Sequence, residues 1–131
     1  MKSDILVIDP SIAGISGDMM LSSIIDIGAD ERLVIENLEM LKDYFKSCKK
    51  LEISFKDVTK NGFRAKKAEI TIEENRNSHN VDELSSNLER CIEDISISHN
   101  AKAFIKNSFE NLISAESALH GISKKEIHLH E

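Results

Sequence analysis

Over residues 51–55 and again over 68–72 the apolar residues recur at every second position, while in the segments before and after they recur at three- and four-residue spacing. Leu51, Ile53 and Phe55 alternate with Glu52, Ser54 and Lys56, and Ala68, Ile70 and Ile72 alternate on the return. Strand side chains point to opposite faces with period two, so each run lays one apolar face against a core. Asn61-Gly62 lies between them. Both residues tolerate positive φ, which is what a tight hairpin turn demands. A central antiparallel hairpin between helical segments is therefore the frame on which the rest must fit.

The flanking segments read as helices. From about Asp18 to Ile27, Met20, Leu21, Ile24 and Ile25 share one helical face, with Gly28 as the stop. Asp30 is placed to cap a second helix carrying Leu33, Val34, Leu38, Leu41 and Phe45. Glu73 to Asn80 reads as a polar loop. Val81, Leu84, Leu88, Cys91, Ile92 and Ile95 mark a third helix, and Ala101 to Leu119 a fourth, closed by Gly121. Ile5-Leu6-Val7-Ile8 is a continuous apolar run ended by Asp9-Pro10, which predicts a buried core strand. Ile127 to His130 predicts a last strand. The order β-α-α-β-β-α-α-β predicts an α/β fold with a mixed, roughly four-stranded sheet covered by helices, and residues 1–131 as a single domain.

Composition excludes several classes. Apolar residues make up 40% of the 131 residues and charged residues 31%, a globular balance. The net charge of −6 and the lack of a dense basic patch disfavour nucleic acid as a partner. No apolar run reaches membrane-spanning length and no signal-peptide core is present, so the sequence predicts a cytoplasmic protein without a membrane partner. Cys48 and Cys91 lack a CxxC spacing and read as ordinary thiols of a reducing compartment, with Cys91 packed on a helix face.

Two segments carry chemistry. The first is the loop Asp9-Pro10-Ser11-Ile12-Ala13-Gly14-Ile15-Ser16-Gly17-Asp18-Met19. Gly14 and Gly17 let backbone N–H groups approach a ligand, and a helix N-terminus favours anions. There is no Walker lysine, and Asp18 stands where a phosphate would sit. The functional reading makes Asp9 and Asp18 carboxylates facing a metal or polar substrate; the alternative makes Asp18 a partner of the helix dipole. The second segment is the end of the chain. On an extended segment His128 and His130 share a face, and with His120 they supply three imidazoles within eleven residues, around the Gly121 turn. Imidazole suits nickel, zinc or copper, and neutral rings bind better above about pH 6.5. The alternatives are exposed histidines on a terminal strand and, for His120, a favourable charge at a helix C-terminus. His79 reads as a surface residue and His99 as part of a helix-start turn.

Together the two ends resemble the LarC family of nickel insertion proteins, pyridinium-bisthiocarboxylate mononucleotide nickel chelatases. The opening Ile8-Asp9 through Gly14-Ile15-Ser16-Gly17-Asp18-Met19 is similar to the family's strand, aspartate, small-residue loop and Gly-x-Ser-Gly-Asp-Met. Glu116-Ser117-Ala118-Leu119-His120-Gly121 followed by Ile127-His128-Leu129-His130-Glu131 is similar to its Glu-Ala-x-x-His-Gly and Val-His-Phe-His-Glu. Lys60 to Ala65 falls where the family has its glycine-containing hairpin. The resemblance implies nickel insertion into a sulfur-bearing pyridinium mononucleotide, yielding the nickel-pincer nucleotide cofactor of lactate racemase-like enzymes. That activity is a lyase-type cyclometallase, a nickel chelatase. It implies CTP with a divalent ion such as manganese in a C-terminal region, a racemase-like apoenzyme as client, and this chain as the N-terminal part of a longer or split protein. Carried onto this sequence, it implies His120, His128 and His130 as nickel ligands, and Asp9, Gly14, Ser16 and Gly17 as the residues that bind the cofactor. Asp18 or Glu131 would then be base or orienting carboxylate. Two departures stand out: residues 76–80 hold one histidine in place of a histidine-rich run, and the first loop has no cysteine. Two other readings stay open: a non-catalytic module that docks the nucleotide-binding region, and an unrelated small nucleotide-binding domain.

Overall fold

Asn61 at φ 51° and Gly62 at φ 83° form the two-residue turn that the sequence requires, and a long hairpin follows from it. Strands β1 (Cys48–Lys60) and β2 (Phe63–Glu74) pair antiparallel, with Ile53 opposite Ile70 and Leu51 opposite Ile72. This computed structural model describes residues 5–12, 14–75 and 79–129. The hairpin exceeds the alternating segment at both ends, because Asp57, Lys66 and their neighbours pair as readily on a solvated ribbon as the apolar residues do on a packed one.

Helices cover the ribbon. Helix α1 (Gly17–Asp26) packs on β2 and α2 (Glu31–Glu39) on β1. A two-stranded ribbon has two free edges, and each is met by a helix side chain. The Ala68 amide donates to Ser22 Oγ at 2.8 Å, and the Ile53 amide to Glu39 Oε1 at 3.4 Å. Asp30 caps α2, accepting from the Leu33 amide at 3.1 Å, as its position predicts. A 3-10 turn, Met40–Asp43, leads into β1.

The second half is a helix pair closed by a short strand pair. Helix α3 (Val81–Asp94) is capped by Asn80, whose side chain accepts from the Glu83 amide at 2.7 Å. Helix α4 (His99–His120) begins at Ser98, with His99 in its first turn as expected, and ends at Gly121 in the left-handed region. Cys91 and Ile92 are each 1% exposed, so Cys91 packs on the inner face of α3. Strand β3 (His79–Asn80) pairs antiparallel with β4 (His128–Leu129). Val81, Ile113 and Ile127 form a buried cluster against which Phe109 and Leu129 pack.

The α/β class stands, and three expectations need correction. The strands described form two separate two-stranded antiparallel sheets in place of one mixed four-stranded sheet. Ile5–Ile8, expected as a buried core strand, carries no regular secondary structure and is exposed along its length. An apolar run specifies that it wants cover; it does not say which segment provides it. The polar stretch Glu73–Asn80, expected as loop, contributes the end of β2 and the whole of β3.

Candidate metal and substrate site

The N-terminal loop is held by its own side chains. The Ser11 amide donates to Asp9 Oδ1 at 3.0 Å, and the Gly14 amide to the Pro10 carbonyl at 2.9 Å. Gly14 sits at φ 69°, a conformation that a Cβ would penalise. Ser16 is extended and precedes α1, whose first residue is Gly17. The Ser16 hydroxyl donates to the Asp18 carboxylate rather than capping the helix. That bond, with a further one from the Met19 amide, holds the Asp18 carboxyl below its ordinary value. Asp9 is likewise lowered, first by the Ser11 side chain and then by its amide. Both carboxylates are therefore ionised anions with donors already in place. Such groups orient a polar ligand well and accept a proton poorly.

Asp18 opens onto a shallow cleft of about 280 Å³ between α1 and β2, where Ser22, Asp26, Lys66 and Lys67 also stand. Arg64 reaches Asp26 and Asp57 at 3.4 Å each, and Lys66 reaches Asp57 at 3.2 Å. Charges of both signs line this floor, which suits a ligand carrying both cationic and anionic groups better than a bare phosphate. Beside it, Asp9 and Gly14 border a second hollow of about 450 Å³ with Leu6, Ile8, Met19 and Ile27.

The C-terminal donors are set by a helix stop and a buried anchor. His120 occupies the last turn of α4, its Nε2 3.4 Å from a Glu116 oxygen one helical turn back. Gly121 turns the chain at φ 65°, and Ser117 Oγ donates to the Ile122 carbonyl at 2.6 Å. Ser123 gives both its amide (3.2 Å) and its hydroxyl (2.6 Å) to Glu126, bringing Ile127 into the core at 2% exposure. Period two then turns His128 outward, opposite Asn80 of β3. His130 and Glu131 lie outside the described residues. Among the described residues no three His, Cys, Asp or Glu side chains converge as a metal site. His128 does not line the hollow around Asp18. Their elements do meet elsewhere: Leu21 of α1 and Leu129 of β4 both line a larger apolar cavity of about 390 Å³ beneath the hairpin.

That cavity exposes what sequence reasoning missed. His79, expected on the surface, is largely buried, and its Nε2 lies 2.7 Å from Glu74 Oε2. A proton on Nε2 is donated to that carboxylate, which leaves Nδ1 buried with no hydrogen-bond partner among the described residues. The pair joins the end of β2 to β3, and β3 carries β4 with it. Nothing in a single histidine within a polar stretch reveals this, because its partner is chosen by how β3 folds back. Cys48 shares the cavity wall, and burial pushes the Cys91 thiol up, which makes it unreactive.

The family model described as "Nickel insertion protein" matches residues 6–131. Among curated relatives, the "Pyridinium-3,5-bisthiocarboxylic acid mononucleotide nickel insertion protein" of Staphylococcus epidermidis is 32% identical over 120 residues, 91% of this chain and 28% of the relative. The protein of the same description from a Thermotoga species is 32% identical over 136 residues, 97% of this chain and 32% of the relative. A "Putative nickel insertion protein" of Methanothermobacter thermautotrophicus is 28% identical over 130 residues, 97% of this chain and 30% of the relative. The chain thus spans about a third of the length of these relatives. No solved structure matches it.

Proposed function

Because the chain belongs to the nickel insertion protein family, we propose that it supplies part of the machinery that inserts nickel into a pyridinium-3,5-bisthiocarboxylic acid mononucleotide. Its match to the family over nearly its whole length is the observation that carries the reading. Nickel is a substrate here, and His120, His128 and His130 are the imidazole donors that receive it before transfer to the sulfurs of the pyridinium. Two of the donors stand near one another in sequence across the Gly121 turn. The exposed place of His128 leaves its ring open to an incoming ion.

The N-terminal loop holds the organic substrate. Asp9, Gly14, Ser16 and Gly17 face its polar groups, and the mixed charges around Asp18 match a molecule that is cationic at the ring and anionic at its carboxylates and phosphate. The lowered Asp18 pKa favours an orienting role for that residue and leaves proton acceptance to Glu131. CTP with a divalent ion such as manganese is used by the remainder of the protein, which also completes the lyase-type reaction. The nickel-pincer nucleotide then passes to a lactate racemase-like apoenzyme in the cytoplasm. Among the described residues no helix is long and apolar enough to cross a membrane.

A second reading makes this chain a docking module for that remainder, and the exposed apolar run Ile5–Ile8 favours it. One experiment separates the two. In a reconstituted protein containing both regions, a His128→Ala/His130→Ala double variant should lose most cofactor maturation and nickel binding. Its thermal stability should change by no more than about 0.5 kcal/mol, since His128 is exposed on β4 and surface substitutions rarely cost more. Maturation at the wild-type rate removes these histidines from the mechanism and leaves the docking reading.

A further inference from the structure

Among the described residues, no segment covers Ile5–Ile8, an apolar run that is exposed along its length. Its exposures alternate: Ile5 is 85% and Val7 81% exposed, whereas Leu6 is 62% and Ile8 48%. Leu6 and Ile8 lean toward α1, where with Ile15, Met19 and Ile27 they border an apolar hollow. Val7 reaches the rim of the same hollow but is four-fifths exposed, and Ile5 stands outside it. Ile12 is 95% exposed beside them. Among the described residues, no backbone hydrogen bond joins residues 5–8 to any other segment. Four consecutive apolar residues, three of them β-branched, are thus exposed and, among the described residues, unpaired at the backbone.

Such a segment is a strand without its sheet. Unpaired N–H and C=O groups on an apolar strand are a template for pairing with another edge, and both faces being apolar calls for a sheet that is covered on each side. The relatives are about three times as long: the chain spans 28% to 32% of their length, and Leu6–Ile8 fall within the family match. The rest of this family's polypeptide is therefore the occupant of the right size and association.

We propose that Ile5–Ile8 is an interaction strand: it adds to the edge of a β-sheet in the remaining two thirds of the nickel insertion protein, with Ile5, Val7 and Ile12 buried beneath an apolar cover from that region. The inference rests on the reading that this chain works together with that remainder. It places the junction beside Asp9 and Gly14, so that docking closes the loop assigned to the organic substrate. The substrate hollow is then finished only in the assembled protein.

The test is hydrogen exchange at the amides of residues 5–8, read by mass spectrometry on the purified chain with and without the purified remainder of the protein. Alone, these amides should exchange at the rate of an unstructured peptide at every protein concentration. With the remainder present they should slow by at least a hundredfold. Val7→Asp should abolish both the slowing and the complex, while the circular dichroism and melting curve of the isolated chain stay unchanged. Fast exchange within a formed complex, or no complex at all, overturns the proposal. So does protection that grows with concentration of the chain alone, which would point to a second copy. Nickel titration of the same samples keeps the two readings apart: a failed strand with intact nickel binding sinks only this inference.

Discussion

Ile127 should hold the histidine-bearing strand in place, and replacing it by alanine measures how firmly. Its side chain is 2% exposed and sits with Val81 and Ile113, flanked by Phe109 and Leu129. Ile127→Ala removes three buried carbons. At about 0.8 kcal/mol per buried methylene the transfer part is about 2.4 kcal/mol. Incomplete collapse of the cavity adds to this, within the about 2–5 kcal/mol seen for such truncations, so about 3 kcal/mol is expected. For a domain of this size, whose total stability is about 7–20 kcal/mol, that is a large fraction. It corresponds to a fall of roughly 10 °C in Tm. Guanidinium unfolding followed by circular dichroism reads the change, with Ile127→Val as a gentler companion at about 1 kcal/mol. His128→Ala, one residue on, should be silent in the same assay. A loss below about 1 kcal/mol for Ile127→Ala would refute the argument, because it would mean that the terminal segment frays and that its burial does not couple to the core.

Three further outcomes follow from the same geometry. Ser16→Ala removes the largest influence on Asp18, so its carboxyl should titrate closer to the ordinary 3.8 in a carbon-detected NMR titration. As the folded pKa is the lower one, the stability it contributes is present above pH 3.8 and is lost as the pH falls through the folded value, so variant and wild type should converge in strong acid. Gly121→Ala should cost about 1 kcal/mol in thermal unfolding; no atom lies within 4 Å of the added Cβ, so the cost is that of the left-handed backbone alone. Glu74→Gln keeps an acceptor for His79 but removes its charge, and should destabilise by about 1 kcal/mol in chemical denaturation; no change would show that the pair does not bind β3 to β2.

The local grammar of this protein is written in its sequence. Asn61-Gly62 fixes the hairpin because a turn of two residues needs positive φ at both, and that requirement involves no distant partner. Asp30, Asn80, Ser98 and Gly121 set helix ends for the same reason: a cap satisfies groups within three or four residues of itself. The alternation of Ile127 and His128 likewise sends one inward and the other out. The chemical motifs at both ends, which carry the family resemblance, are also strings of residues and can be read as such.

What the sequence left open are choices between distant segments. Ile5–Ile8 reads as a core strand because it is apolar on both faces, yet only a non-local edge can bury it, and the described chain offers none. Two small sheets replace one larger sheet because pairing is decided by which backbone edges the helices leave free, and α1 and α2 occupy both edges of the hairpin. The burial of His79 depends on β3 folding back along β4 beside Glu74, a meeting of residues 74, 79 and 129 that no spacing in the sequence encodes. Short-range hydrogen bonds and periodicity act within one element and are legible there; burial and strand partnership are properties of the assembled molecule, and only the tertiary structure decides them.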